Sequence, residues 1–181
     1  PNTAYTRFVQ AVDEGNVKNS IPATRYTLPA VSCGVTIEDR TATSILLAWD
    51  NGSNPSYTRW QILRSTDDFS TNTSTLTSFN DNYTSFSFSD SGLSAATTYY
   101  YKVRPINEGG LYGSFTTSVS TVTLPPPPLA PSTFTATALS SSSVQFNRYD
   151  ESNDELGFKL LNSTYGVIQE LGANTTYWID N

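Results

Sequence analysis

Histidine and methionine are absent from this 181-residue chain, and cysteine occurs once, at Cys33. Without imidazole there is no Ser-His-Asp or Cys-His set and no histidine-ligated metal. One cysteine excludes an internal disulfide framework. Lysine is confined to Lys18, Lys102 and Lys159, and the net charge of −6 leaves no basic face for nucleic-acid phosphates. No apolar run approaches the roughly 20 residues of a membrane-spanning helix. No secretory leader opens the chain either, so any export signal is expected to have been cleaved or to lie outside this stretch. Gly109-Gly110-Leu111-Tyr112-Gly113 fits no phosphate-cradle spacing and reads as a hairpin turn. No Arg-Gly-Asp triplet supports integrin-type adhesion, and no stretch has helical periodicity. No catalytic set and no cofactor are expected.

What is present is alternation. Leu93 stands six residues before Tyr99, which opens the run Tyr99-x-Tyr101-x-Val103. Such a run reads as a half-buried strand with those three side chains on one face. A tyrosine at its head can bury its ring and tie its hydroxyl to backbone just upstream, closing a corner between two sheets. With Thr97 between them, Leu93 and Tyr99 resemble the tyrosine-corner signature of the fibronectin type III domain. The wording of the chain is most similar to tandem arrays of such domains in large bacterial secreted and cell-surface proteins. The resemblance implies an all-β fold of Ig-like sandwiches serving as a spacer or assembly module rather than an active site.

The corner signature occurs twice, which fixes the organisation. Pro1-Asn2-Thr3-Ala4-Tyr5 repeats it, and Tyr5, Val9 and Asp13-Glu14-Gly15 fall 94 residues before Tyr99, Val103 and Asn107-Glu108-Gly109. Thr27-Leu28-Pro29 falls 96 before Thr123-Leu124-Pro125, as one longer hairpin loop would give. Residues 1–29 therefore read as the last two strands, F and G: Tyr5 to Ala11, a turn over Asp13 to Asn19, and Thr24 to Leu28. Residues 30–125 read as a complete domain. Ile45, Leu47 and Trp49 face inward on strand B, Trp60 to Ser65 forms strand C, Phe86 to Phe88 strand E, Tyr99 onward strand F, and Ser118 to Leu124 strand G. Pro105 lies in strand F, where a missing N–H is expected to make the strand bulge or stop pairing. Residues 126–131 belong to a polyproline linker, a strut of roughly 20 Å, whereas the junction at Pro29-Ala30-Val31 carries no such run. Residues 132–181 restart the pattern as strands A to E. Ser143 to Phe146, Gly157 to Leu160 and Tyr177-Trp178 match strands B, C and E, and Trp178-Ile179-Asp180 falls opposite Phe88-Ser89-Asp90. Arg148 stands at the strand-B tryptophan position, with either Tyr149 or another aromatic expected to fill the gap or this domain's core expected to be thinner.

Half a core cannot offset the backbone entropy of ordering some 50 residues, about 1–2 kcal/mol each. Each partial domain is thus expected to be completed by a neighbouring copy or an adjacent segment of the same polypeptide, as in strand addition. Extracellular or cell-surface residence, partnership with copies of itself, and a filament or stalk role are the expectations. The alternative is a carbohydrate- or protein-binding adhesin segment or a spacer beside a secreted glycoside hydrolase. Tyr100 and Tyr112, off the inward register, are the candidate sugar platform, while Trp49, Trp60, Phe86, Phe88 and Tyr99 are assigned to the core. Asp150, Ser152 and Asp154 mimic the first alternating ligands of a calcium loop, but Glu155 stands where the sharp-turn glycine belongs. A solvated loop is the plainer reading. Cys33 reads as a small buried residue. Asparagine-glycosylation triplets begin at Asn51, Asn72, Asn82, Asn162 and Asn174.

Overall fold

Strand-forming alternation governs the described residues, 1–31 and 34–180 of the computed structural model. No α-helix occurs among them, and the chain divides into two compact units, Pro1–Pro126 and Pro127–Asn181. The reading of Cys33 lies outside the described residues.

The first unit opens with a long hairpin. Strands β1 (Ala4–Arg7) and β4 (Ala23–Tyr26) pair at its base, and β2 (Gln10–Asp13) and β3 (Asn16–Asn19) pair at its tip. The expected turn over Asp13 to Asn19 is shorter than read. Glu14-Gly15 makes the reversal, with Gly15 at φ +84°, and the residues after it return as β3. Val12 opposite Val17 and the Gln10 Nε2 to Asn19 Oδ1 bond of 2.9 Å carry the ladder past the assigned boundary.

Next comes a sandwich of β5 (Val35–Arg40), β6 (Ser44–Trp49), β7 (Arg59–Ser65), β8 (Ser74–Thr75), β9 (Ser87–Ser91), β10 (Thr98–Ile106) and β11 (Val119–Val122). One sheet runs β5-β6-β9 and the other β11-β10-β7-β8, corresponding to strands A-B-E and G-F-C-C′. Period-two alternation puts Ile45, Leu47 and Trp49 on one inner face and Trp60, Ile62, Tyr101 and Val103 on the other. Trp49 and Trp60 meet edge to face with centroids 5.9 Å apart. The corner closes as expected: Ser94 N donates to the Tyr99 hydroxyl at 3.0 Å, above a buried Leu93. Thr97 N donates to Thr123 Oγ1 at 3.0 Å, holding the base of β10 against the end of the G segment.

Two expectations are corrected here. Strand β10 neither bulges nor stops at Pro105, which pairs opposite Trp60, and the ladder continues to Ile106 opposite Arg59. Val103 O and Pro105 O accept from Thr116 N and Gly113 N on the G side, so the missing N–H of Pro105 faces that side, beyond the end of β11. The ladder to β7 never calls on it. Phe86 is exposed rather than buried, lying just before β9 with its ring against the edge of Trp60.

A polar bridge joins the two sheets inside this core. Arg64 Nη1 donates to both carboxylate oxygens of Asp90, at 3.0 and 3.1 Å, and the Tyr101 hydroxyl donates to Asp90 Oδ2 at 2.8 Å. Burial, then the Asp90 acceptor and its charge, hold the Tyr101 phenol protonated far above its ordinary range.

The hairpin repeats the base of β10 and β11 bond for bond. Ala4 to Arg7 face Tyr26 to Ala23 as Thr98 to Tyr101 face Val122 to Val119. Thr27 N donates to Thr3 O, and Thr123 N to Thr97 O, both at 3.0 Å. Thr3 N donates to Thr27 Oγ1 as Thr97 N does to Thr123 Oγ1. Asn2 and Ala96 hold the same left-handed conformation, φ 50° and 48°. What differs is cover. Tyr5 is 50% exposed where Tyr99 is 7%, and Val9 is 75% exposed where Val103 is 0%.

The second unit consists of β12 (Ser132–Ala138), β13 (Val144–Tyr149), β14 (Gly157–Leu161), β15 (Val167–Gly172) and β16 (Tyr177–Asp180). Sheet β12-β13-β16 corresponds to A-B-E, and β14-β15 to C-C′. Gly157 is needed at the head of β14, because a Cβ there would meet the Leu171 carbonyl oxygen at 2.5 Å. Strand B keeps its register: Phe146 faces Trp178 and Val144 faces Asp180 as Leu47 faces Phe88 and Ile45 faces Asp90. Tyr149 points outward and does not fill the tryptophan position. Arg148 itself does, its guanidinium 3.0 Å from the centre of the Phe158 ring, so a cation–π contact replaces the Trp49–Trp60 pair.

Removing the bridging carboxylate tests the central core. Asp90→Ala should cost about 3 kcal/mol, since it strands a partly buried guanidinium, and Tyr101→Phe about 1.5 kcal/mol. Urea unfolding followed by tryptophan fluorescence reads both. Equal, sub-kilocalorie losses would remove the bridge from the list of stabilising contacts.

Candidate functional site

Among the described residues no group of three or more His, Cys, Asp and Glu side chains is gathered for a metal ion. Asp150 faces Arg148 at 3.7 Å and accepts from Ser152 N at 3.3 Å, while the Ser152 hydroxyl donates to Asp154. No helix among the described residues is long and apolar enough to cross a membrane. The five glycosylation-type asparagines, Asn51, Asn72, Asn82, Asn162 and Asn174, are all exposed.

Tyr100 and Tyr112 are not joined into one aromatic platform. Arg104 and Lys102 project from the outer face of β10 among the rings. Arg104 lies 4.0 Å from the Tyr112 ring centre and 4.3 Å from that of Phe115, and Lys102 lies 3.8 Å from that of Phe69. Arg104 Nε also donates to Gln61 Oε1 at 2.6 Å. A sugar ring stacking on that face of Tyr112 would have to displace a bonded guanidinium. Phe69 reaches its place through a left-handed backbone, φ +63°, in a loop tied by Asp67. The Asp67 carboxylate accepts from the Thr71 and Ser65 hydroxyls and from the Thr71 and Asn72 amides, which hold it well below the usual carboxylate range.

Asparagines build the seam between hairpin and sandwich. Asn2 is fully buried: its Nδ2 donates to Thr58 Oγ1 at 2.9 Å, and its Oδ1 accepts from Glu108 N at 3.3 Å. Asn107 Nδ2 donates to Thr27 O at 3.0 Å. Asn54 grips Ala30 at both ends, accepting from its N at 2.8 Å and donating to its O at 2.7 Å. Pro29 packs on the same seam, 3.2 Å from where a Cβ on Gly113 would stand. Sequence reasoning placed Asn2 and Asn107 in the repeated signatures but missed their bridging role, because nothing in the local pattern says what a buried asparagine side chain will meet.

The features with the reach to do something are two open sheet edges. Strand β1 pairs with β4 and β14 pairs with β15; neither has a second strand neighbour among the described residues. Their equivalents, β10 and β7, pair with each other over seven residues, Tyr100–Ile106 against Ser65–Arg59. Beside β14 an apolar groove is lined by Phe134, Arg148, Phe158, Leu160 and Leu171. Unpaired edges with apolar flanks are templates for another strand.

No family model and no curated protein matches the chain. Solved structures similar to it include the fibronectin type III domain of human fibronectin type III domain containing protein 3, 16% identical over 55% of this chain and 87% of that one, with a TM-score of 0.44. A computationally redesigned β-sandwich protein is 17% identical over 55% and 95%, TM-score 0.44. An Fn3-like protein from Clostridium thermocellum is 23% identical over 52% and 92%, TM-score 0.43. By its own strand order, one sheet of A-B-E and one of G-F-C-C′, the central domain is a two-sheet β-sandwich.

The seam gives a direct check. Asn2→Ala keeps a backbone conformation that Ala96 already adopts, but it leaves Thr58 and Glu108 N without their partner. Amide exchange at Thr27 and Glu108 should accelerate about tenfold or more, matching the 1–3 kcal/mol of a lost buried hydrogen bond, while Ile62 and Val103 keep wild-type rates. Unchanged exchange at Thr27 would mean that the seam does not hold the hairpin.

Proposed function

We propose that this chain is a non-enzymatic structural module of an extracellular filament, stalk or surface layer. In it, sandwiches follow one another head to tail, and partial domains are completed by a neighbouring copy or segment. The observation that carries the reading is the hairpin, which reproduces the F–G base of a sandwich bond for bond yet leaves Tyr5 and Val9 in solvent. The second unit offers the complementary part, a C strand with one edge unpaired among the described residues and an apolar groove beside it. Donor and acceptor lie in different parts of one chain, so the contact is heterologous and propagates. The exposed Asn-x-Ser/Thr triplets suit an extracellular, glycan-bearing product, and surface labelling of intact producer cells checks that residence.

Assembly is the decisive measurement. Sedimentation velocity over a dilution series should give species that lengthen with concentration, and electron microscopy unbranched fibres repeating about every two sandwiches. A monodisperse monomer at every concentration would overturn the reading.

A further inference from the structure

The complete sandwich shows what the two open edges need from each other. Its Asp90 on strand E takes a cation from Arg64 on strand C and a hydroxyl from Tyr101 on strand F. Asp180 stands at the Asp90 position, because Val144 faces Asp180 as Ile45 faces Asp90. Strands β7 and β14 begin 98 residues apart, at Arg59 and Gly157, and share the following Ser-Thr at 65–66 and 163–164. That register puts Asn162 where Arg64 stands, so strand C has lost its cation. The Asn162 side chain is turned to its own loop, its Oδ1 accepting from Thr164 and Gly166 amides. The hairpin places Arg7 where Tyr101 stands. The cation has moved from strand C to strand F.

A second position shows the same exchange. In the complete domain Arg104 on strand F faces Gln61 on strand C. The corresponding residues are Gln10 and Lys159: amide on F, cation on C. Each position keeps one cation. Had the hairpin docked on β7 instead, Arg7 would face Arg64; had β10 docked on β14, Arg104 would face Lys159. Like charges would oppose both mispairings.

We infer that Arg7 of one copy forms a buried ion pair with Asp180 of the next, with the stretch from β1 into β2 pairing antiparallel to β14 so that Arg7, Val9 and Ala11 face Asn162, Leu160 and Phe158. This rests on the head-to-tail reading and specifies its interface. Neither Arg7 nor Asp180 has an ion-pair partner among the described residues. Arg7 folds back onto Thr6 O at 2.8 Å and over the Tyr5 ring, a pose open to exchange for a carboxylate.

The test uses charge reversal in the full chain. R7D and D180R should each raise the concentration for half-assembly by about thirtyfold or more, the effect of breaking a buried charge pair. Each should leave tryptophan fluorescence of the central sandwich unchanged. An equimolar mixture of the two should assemble at the wild-type concentration, because every interface in it can pair Arg7 with Asp180 or Asp at 7 with Arg at 180. Wild-type assembly that R7D and D180R leave untouched would overturn the ion pair and leave head-to-tail assembly standing. A wild type that never assembles would overturn the parent reading and this one with it. Failure of the mixture, with recovery in the doubly reversed chain, would put the pair within one chain and overturn the second copy as the occupant.

Discussion

A strand at the rim of a sheet leaves one row of backbone N–H and C=O groups without a ladder, and that row must be met by water or by another strand. In a sandwich the constraint is sharper, because strand C lies between C′ and F and its side chains form the floor of the core. Losing F removes a ladder and a wall together. The central domain satisfies the condition through β10 on β7, and its interior is accordingly closed, with Trp60, Ile62, Tyr101 and Val103 fully buried. The hairpin and the second unit each meet half of it. Their large apolar residues remain in solvent, among them Tyr5, Val9, Phe134 and Tyr177.

Magnitudes favour closure between such parts. Fully burying a large apolar side chain yields about 1.5–3 kcal/mol, and several stand ready on the two faces. Association costs an estimated 4–15 kcal/mol in lost rigid-body freedom. Much of the ordering has been done already, since β1 and β4 hold the F–G base register on their own and the asparagine seam anchors them to a folded sandwich. Preorganisation of this sort lowers the cost of docking. The seam also gives the hairpin a fixed root.

Much of the fold was legible because period two is a strong signal wherever one face is buried. Strands B, C and F of the central domain, the corner at Leu93, Thr97 and Tyr99, and the 94- and 96-residue offsets all follow from it. The misses share a cause. Phe86 sits just outside its strand, where alternation no longer fixes the face. Pro105 looks like an obstacle in the sequence because the sequence does not say which side of the strand an absent N–H faces. Arg148 at a tryptophan position makes sense only with Phe158 across from it. The asparagine seam and the Arg64–Asp90–Tyr101 bridge depend on residues 11 to 106 positions apart, and no local pattern announces them. Once that bridge is seen, the exchanged cation at Arg7 can be read from the chain.

In assembled material the free edge of β14 should be occupied by a strand. In β7, Ile62 bonds towards C′ through Thr77 Oγ1 and Leu76 N, so the alternate residue Gln61 presents its amide to strand F. Lys159 is its equivalent. Amide exchange at Lys159, followed by NMR of dissolved samples quenched from dilute and from concentrated protein, is therefore the most direct measurement. The amide should exchange freely when dilute and slow towards the rate of Gln61 when concentrated. Equal, fast exchange in both samples would contradict it.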